Sequence, residues 1–112
     1  VDVMGPPPPF SEYFMTKCET MADVRREVDR LDRELVALLT ERQAMMNEAG
    51  RIKASRDLVR DEPRIEQVVA NVLRESEKTG LSPAIAEPVW RLLIEKSIEH
   101  EFGVFDELNK VS

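Results

Sequence analysis

The chain holds one cysteine, Cys18, and one histidine, His100. A lone cysteine forms no intrachain disulfide, and neither residue belongs to a zinc- or haem-type ligand spacing. No metal and no other cofactor is expected. Scarcity of cysteine also fits a reducing compartment, so the expected location is cytoplasmic. Long apolar runs are absent, which argues against a bilayer-spanning helix. The first residues lack the basic-then-apolar order of a secretory signal. Basic residues are outnumbered, 16 against 22 acidic, for a formal charge of −6. That balance offers no footprint for nucleic acid or for an anionic membrane surface. An anionic ligand would need a local basic pocket inside an acidic shell. Glycine is limited to four residues and aromatics to 5%, whereas charge, Leu, Val, Ala and Met are plentiful. Such a mixture suits amphipathic helices better than strands.

A length of 112 residues favours one domain. Residues 1–20 read as a flexible N-terminal tail. Pro6 to Pro9 favours an extended polyproline conformation, and Phe10, Tyr13, Phe14 and Met15 follow as a small apolar cluster. Residues 21–108 read as the helical domain and 109–112 as a C-terminal tail. From about Met21 to Ser55 one apolar stripe recurs at spacings of three and four: Val24, Val28, Leu31, Leu35, Leu38, Leu39, Met45, Met46, Ala49 and Ile52. Thr20 or Asp23 is placed to cap it, and Gly50 lies inside it, where it permits close approach of a neighbour. Residues 56–61 read as a loop. Asp61 then caps a second helix with Pro63 in its first turn, ending at Gly80. Ser82 and Pro83 begin a third, with Pro88 expected to kink its entry or delay its start.

The first helix has a consequence for assembly. About 35 residues make ~50 Å of helix, whereas a compact 100-residue domain has a radius of gyration of only ~13 Å. The stripe would overhang any three-helix core. A long uncovered stripe calls for a partner, most simply a second copy about a two-fold axis. The expected fold is therefore all-α: three helices per protomer, intertwined in a helical homodimer.

Most charges fall on solvated positions, among them Asp29, Arg30, Arg33, Glu34, Glu41 and Glu48. Arg25, Asp32, Arg42 and Lys53 do not. Arg42 falls between Leu39 and Met46, and Lys53 lies four residues beyond Ala49 on the same line. On a helix the two cations differ in direction by only about 20° and lie ~16 Å apart along the axis. Two long cationic arms at that spacing can converge on one small anion, the arginine as a planar fork and the lysine as a point donor. Arg25 lies roughly 25 Å from Arg42 along the helix, and reaches such a ligand more readily from the other copy of an antiparallel pair. The alternative is that these cations pair with Asp32, Glu48 or other acids across the dimer. Ser97 and Glu101 share one face of the third helix at i and i+4, which gains meaning only if that face lines the basic pocket.

These residues, in order, resemble the all-helical class of chorismate mutases. The likeness rests on Val24, Arg25, Asp29, Leu31, Asp32, Leu35, Leu38, Leu39 and Arg42, then Lys53, then Val59, Arg60, Asp61 and Arg64. Gly80 with Leu81, and Leu93, Ile94, Glu95 and Ser97, extend it across roughly residues 21–105. The resemblance implies a one-substrate pericyclic rearrangement of chorismate to prephenate, for aromatic amino-acid biosynthesis, with no nucleophile and no cofactor. It implies that Arg42 holds one substrate carboxylate and Arg25 of the other protomer holds the second. Lys53 would donate to the ether oxygen and help bind a carboxylate, and Asp61 would accept from the ring hydroxyl. Arg64 would border the site, Ser97 would sit near the ring carboxylate, and Glu101 would face the ether oxygen.

Two positions depart from the family's commonest pattern. Ile65 stands where some members carry a glutamate that accepts from the ring hydroxyl. Glu101 stands where many bacterial members carry glutamine. An ether oxygen needs a donor, and an ionised carboxylate has none, so Glu101 would have to carry a proton there. Two rivals remain at this level: an isochorismate-pyruvate lyase on the same fold, which Ile65 favours, and a non-enzymatic helical dimerisation module whose cations are inter-helix salt bridges.

Overall fold

A computed structural model describes residues 17–110. The expectations for Pro6 to Pro9 and for the Phe10 to Met15 cluster lie outside them. The described residues form three helices and no strand: α1 (Met21–Ile52), α2 (Glu62–Thr79) and α3 (Pro83–Leu108), with a single 3-10 turn, Arg56–Leu58, between α1 and α2.

Each helix starts where the side chains can satisfy its free backbone N–H groups. At α1, the Thr20 hydroxyl accepts from the Asp23 N–H at 3.1 Å, and the Asp23 carboxylate accepts from the Thr20 N–H at 3.1 Å. This is a reciprocal capping box. Asp61 caps α2 by accepting from the Arg64 N–H at 3.0 Å. The helix ends at Gly80, whose φ of 87° suits a residue without a Cβ. Ser82 caps α3.

The structure corrects the expected helix limits at two places. α1 stops at Ile52, not near Ser55. Lys53 has extended backbone with ψ of 136°, although its N–H still reaches the Ala49 carbonyl. In that position its ammonium pairs with Glu101 and bonds the Val59 carbonyl, contacts that offset the lost helical turn. At the other place, α3 begins at Pro83 and runs through Pro88 without a late start. Pro88 removes one backbone bond, but the Ser82 carbonyl accepts from both Ile85 and Ala86, so the first turn is secured without it.

The core lies between α2 and α3. Ile65, Val69 and Ile94 are buried, and Val68, Leu73, Trp90 and Ile98 pack against them. At ~1.5–3 kcal/mol for each fully buried side chain of this kind, this is a small core for a molecule 59 Å long with a radius of gyration of 18.0 Å. α1 joins it over its last three turns alone. Every residue from Val28 to Glu41 is exposed, and covered positions then recur at Arg42, Met46, Ala49, Gly50 and Lys53. At Gly50, α1 and α3 are in close contact. A Cβ there would lie 2.8 Å from Val104 Cγ1 and 3.3 Å from the Glu101 carbonyl oxygen. Glycine at this position lets α3 press against α1 within one residue of Glu101's own backbone.

Candidate active site

Where α1, α2 and α3 meet, they line a half-open cavity of about 350 Å³. Seven of the eight residues singled out in the sequence line it: Arg42 and Lys53 from the end of α1, Asp61, Arg64 and Ile65 from the start of α2, and Ser97 and Glu101 from α3. The eighth, Arg25, is exposed on the far part of α1 and does not join them within one chain.

The first turn of α2 brings Asp61, Arg64 and Ile65 together because Asp61 is its cap. Asp61, which holds the Arg64 N–H, is itself a lining residue of the cavity. Ile65 is 7% exposed and belongs to the core, so this side of the cavity is apolar. On α3, Ser97 and Glu101 point the same way, as their four-residue spacing requires.

The charges are arranged unequally. Glu101 is 4% exposed, and its Oε2 accepts from Lys53 Nζ at 2.5 Å. Lys53 also donates to the Val59 carbonyl at 3.3 Å. That acid partner lies within the same chain, on α3, and is neither Asp32 nor Glu48; Glu48 pairs instead with Arg51. Arg42 has no carboxylate partner among the described residues. Its Nη1 donates to the Ser97 hydroxyl at 2.6 Å, which in turn donates to the Leu93 carbonyl. Burial, and then the like charge of Arg64, pull the Arg42 guanidinium below its ordinary range. A part-buried cation held by a neutral hydroxyl and pressed by a second cation gains most from the arrival of an anion.

Residues 24–102 match the profile of the chorismate mutase type II family. The chain belongs to that family. The T-protein of Haemophilus influenzae is 34% identical over 92 residues, which is 80% of this chain and 24% of that protein. The chain therefore spans less than a quarter of that relative's length. The isochorismate pyruvate lyase of Pseudomonas aeruginosa is 29% identical over 77 residues, 69% of this chain and 76% of the lyase. The family and the all-helical architecture of the described residues agree. No described helix is long and apolar enough to cross a membrane.

Sequence reasoning gave no site role to the apolar wall formed by Met46, Val68, Ile94 and Ile98, although Met46 was placed beside Arg42 and the two isoleucines beside Ser97, and it missed the part played by Val59. Val59 is 3% exposed and contributes its main-chain carbonyl to Lys53. A backbone acceptor has no side-chain signature, so nothing in the residue pattern could have marked it. The apolar wall was in principle legible, since Ile94 and Ile98 flank Ser97 on α3.

Proposed function

We propose that the protein is a chorismate mutase acting as a homodimer, rearranging chorismate to prephenate. The observation that carries this reading is the carboxylate-free, part-buried Arg42 beside the Lys53–Glu101 pair in one cavity. Three cations and two carboxylates line the site within one chain. Arg25 of a second copy would supply a further positive charge for a substrate with two carboxylates.

In this reading Arg42 and the partner's Arg25 grip the two carboxylates and hold the flexible dianion in its compact reactive shape. The C–O bond then breaks as the C–C bond forms, within one molecule. Negative charge grows on the ether oxygen, and Lys53 meets it with a preorganised N–H. Ser97 sits beside the ring carboxylate and Asp61 accepts from the ring hydroxyl. Glu101 assists the ether oxygen when it carries a proton. Glu101→Gln, a permanent donor, is then expected to keep or raise the turnover of chorismate; loss of activity in that variant removes Glu101 from the role.

A second reading, isochorismate pyruvate lyase activity, draws support from the 29% identical relative and from Ile65, which leaves one face of the site apolar. Both readings use the same cationic frame. Incubation of the protein with chorismate and, separately, with isochorismate decides between them. Prephenate from chorismate supports the mutase; salicylate with pyruvate from isochorismate supports the lyase. Turnover of neither substrate defeats both and leaves a non-enzymatic dimerisation module.

A further inference from the structure

Four ion pairs among the described residues join positions far apart in the chain, and three of them fall on the connection between α1 and α2. One is the Lys53–Glu101 pair of the site. The other two are arginine forks. Arg56 donates from Nε and Nη2 to the two oxygens of Asp106 at 2.9 and 3.3 Å, and its guanidinium lies 4.3 Å from the Phe102 ring centre. Arg60 donates from Nη1 and Nη2 to the two oxygens of Glu95 at 3.0 and 2.9 Å, and from Nε to Glu62. Both carboxylates belong to α3, one on each side of Glu101. Between the two forks sits Val59, buried, with its carbonyl on the Lys53 ammonium.

All four of these latch side chains are 42–59% exposed. Exposed pairs stabilise a fold by only ~0–1 kcal/mol, so the two forks do little for overall stability. What a bidentate fork supplies is geometry. Two such forks, bracketing one buried carbonyl, fix that carbonyl relative to α3. We propose that Arg56 and Arg60 are positioning residues: they latch the α1–α2 connection onto α3 so that the Val59 carbonyl and Glu101 hold Lys53 Nζ at one point of the cavity. The kinetic part of this rests on the proposed role of Lys53; the placement of its ammonium does not.

The test uses the full chain and three variants: Arg60→Gln, Arg60→Lys and Asp106→Asn. Amide hydrogen exchange over residues 56–61 reads whether the latch has opened. Acetylation of Lys53 by acetic anhydride, mapped by mass spectrometry, reads whether its ammonium has been released. Turnover of chorismate reads the consequence. In Arg60→Gln, exchange over the segment and acetylation of Lys53 both rise. The kcat falls about tenfold while KM moves by about twofold or less, because Lys53 acts on charge that develops in the transition state. The fall stays short of the ~10²–10³ expected for losing such a donor outright. Arg60→Lys, which keeps the charge but not the fork, falls between. Asp106→Asn opens the other fork and gives a smaller change of the same kind, and it carries the test should Arg60→Gln not fold.

A purely structural role predicts a lower Tm with kcat and Lys53 acetylation unchanged, and that result overturns the proposal. So does an opened segment with unchanged kcat in an active enzyme. If the parent turns over neither substrate, the functional reading fails, and Lys53 acetylation alone still decides the latch: equal acetylation in parent and variants rejects it.

Discussion

The two ends of α1 are built from the same kinds of residue and meet different fates. From Arg42 onward, helix-spaced positions are covered by α3 and line the cavity. Before it, Val24, Val28, Leu31, Leu35, Leu38 and Leu39 form an equally regular apolar stripe, yet each is 36–61% exposed. One half of the helix has found its neighbour within the chain; among the described residues nothing covers the other. Arg25 sits in the uncovered half and Arg42 in the covered half. The difference explains why seven predicted site residues meet and the eighth does not: Arg25 lies on the stretch that no other described element covers.

The largest expected effect belongs to the covered half. Lys53→Ala lowers kcat by ~10²–10³, and steady-state turnover of chorismate measures it; near-parental turnover would end the proposed role of Lys53. The next prediction strikes the comparison directly. Arg25→Ala and Arg42→Ala are each expected to lose most activity. Mixing the two after reversible unfolding lets half of the dimers form as heterodimers, each with one unaltered site, so activity returns to about a quarter of the parental value if Arg25 acts across the two-fold axis. Failure of the mixture to recover shows that Arg25 and Arg42 serve the same subunit's site, or that Arg25 serves none.

What the sequence revealed and concealed follows the same division. Caps and stops at Asp61, Pro63, Gly80 and Ser82 were legible because each answers a local need of a helix end. The stripe of α1 was legible because its period is that of the helix. The end of α1 was misplaced because Lys53 leaves the helix for contacts with Glu101, 48 residues away, and with a backbone carbonyl. Pro88 does not delay the start of α3, because the first turn has support from the Ser82 carbonyl that a residue-by-residue reading does not see. Cation convergence could be argued from spacing on one helix. Which acid meets which cation could not, since that depends on how α3 docks.

Gly50 sharpens the comparison at the junction between the halves. Alanine is the better helix former by ~1 kcal/mol, and at an open position Gly50→Ala would stabilise α1. Here the added methyl meets Val104 Cγ1 at 2.8 Å, and overpacking typically costs ~1–3 kcal/mol. A lower Tm is expected, with partial recovery in Gly50→Ala/Val104→Ala, which removes the nearest atom but leaves the Val104 Cβ at 3.1 Å. An unchanged or raised Tm in the single variant would mean that α3 does not press on α1 at this point.

The smallest effect lies at the far, uncovered end. Asp23 accepts backbone hydrogen bonds from Glu19 and Thr20, and these, with the Thr20 hydroxyl and Arg26, hold its carboxyl below the ordinary range. A carboxyl lowered in the folded state contributes stability that is present above its unfolded value and lost as pH falls through the folded one. The first turn of α1 should therefore loosen in acid, below the ordinary carboxylate range. Amide exchange at Val24 and its neighbours, followed down the acid limb, checks it. Thr20→Ala removes the other half of the box and costs ~1 kcal/mol, and Asp23→Asn abolishes the acid step while leaving the hydroxyl cap. If the acid step persists in Asp23→Asn, the loosening belongs to another group, and the start of α1 is held by contacts beyond its own cap.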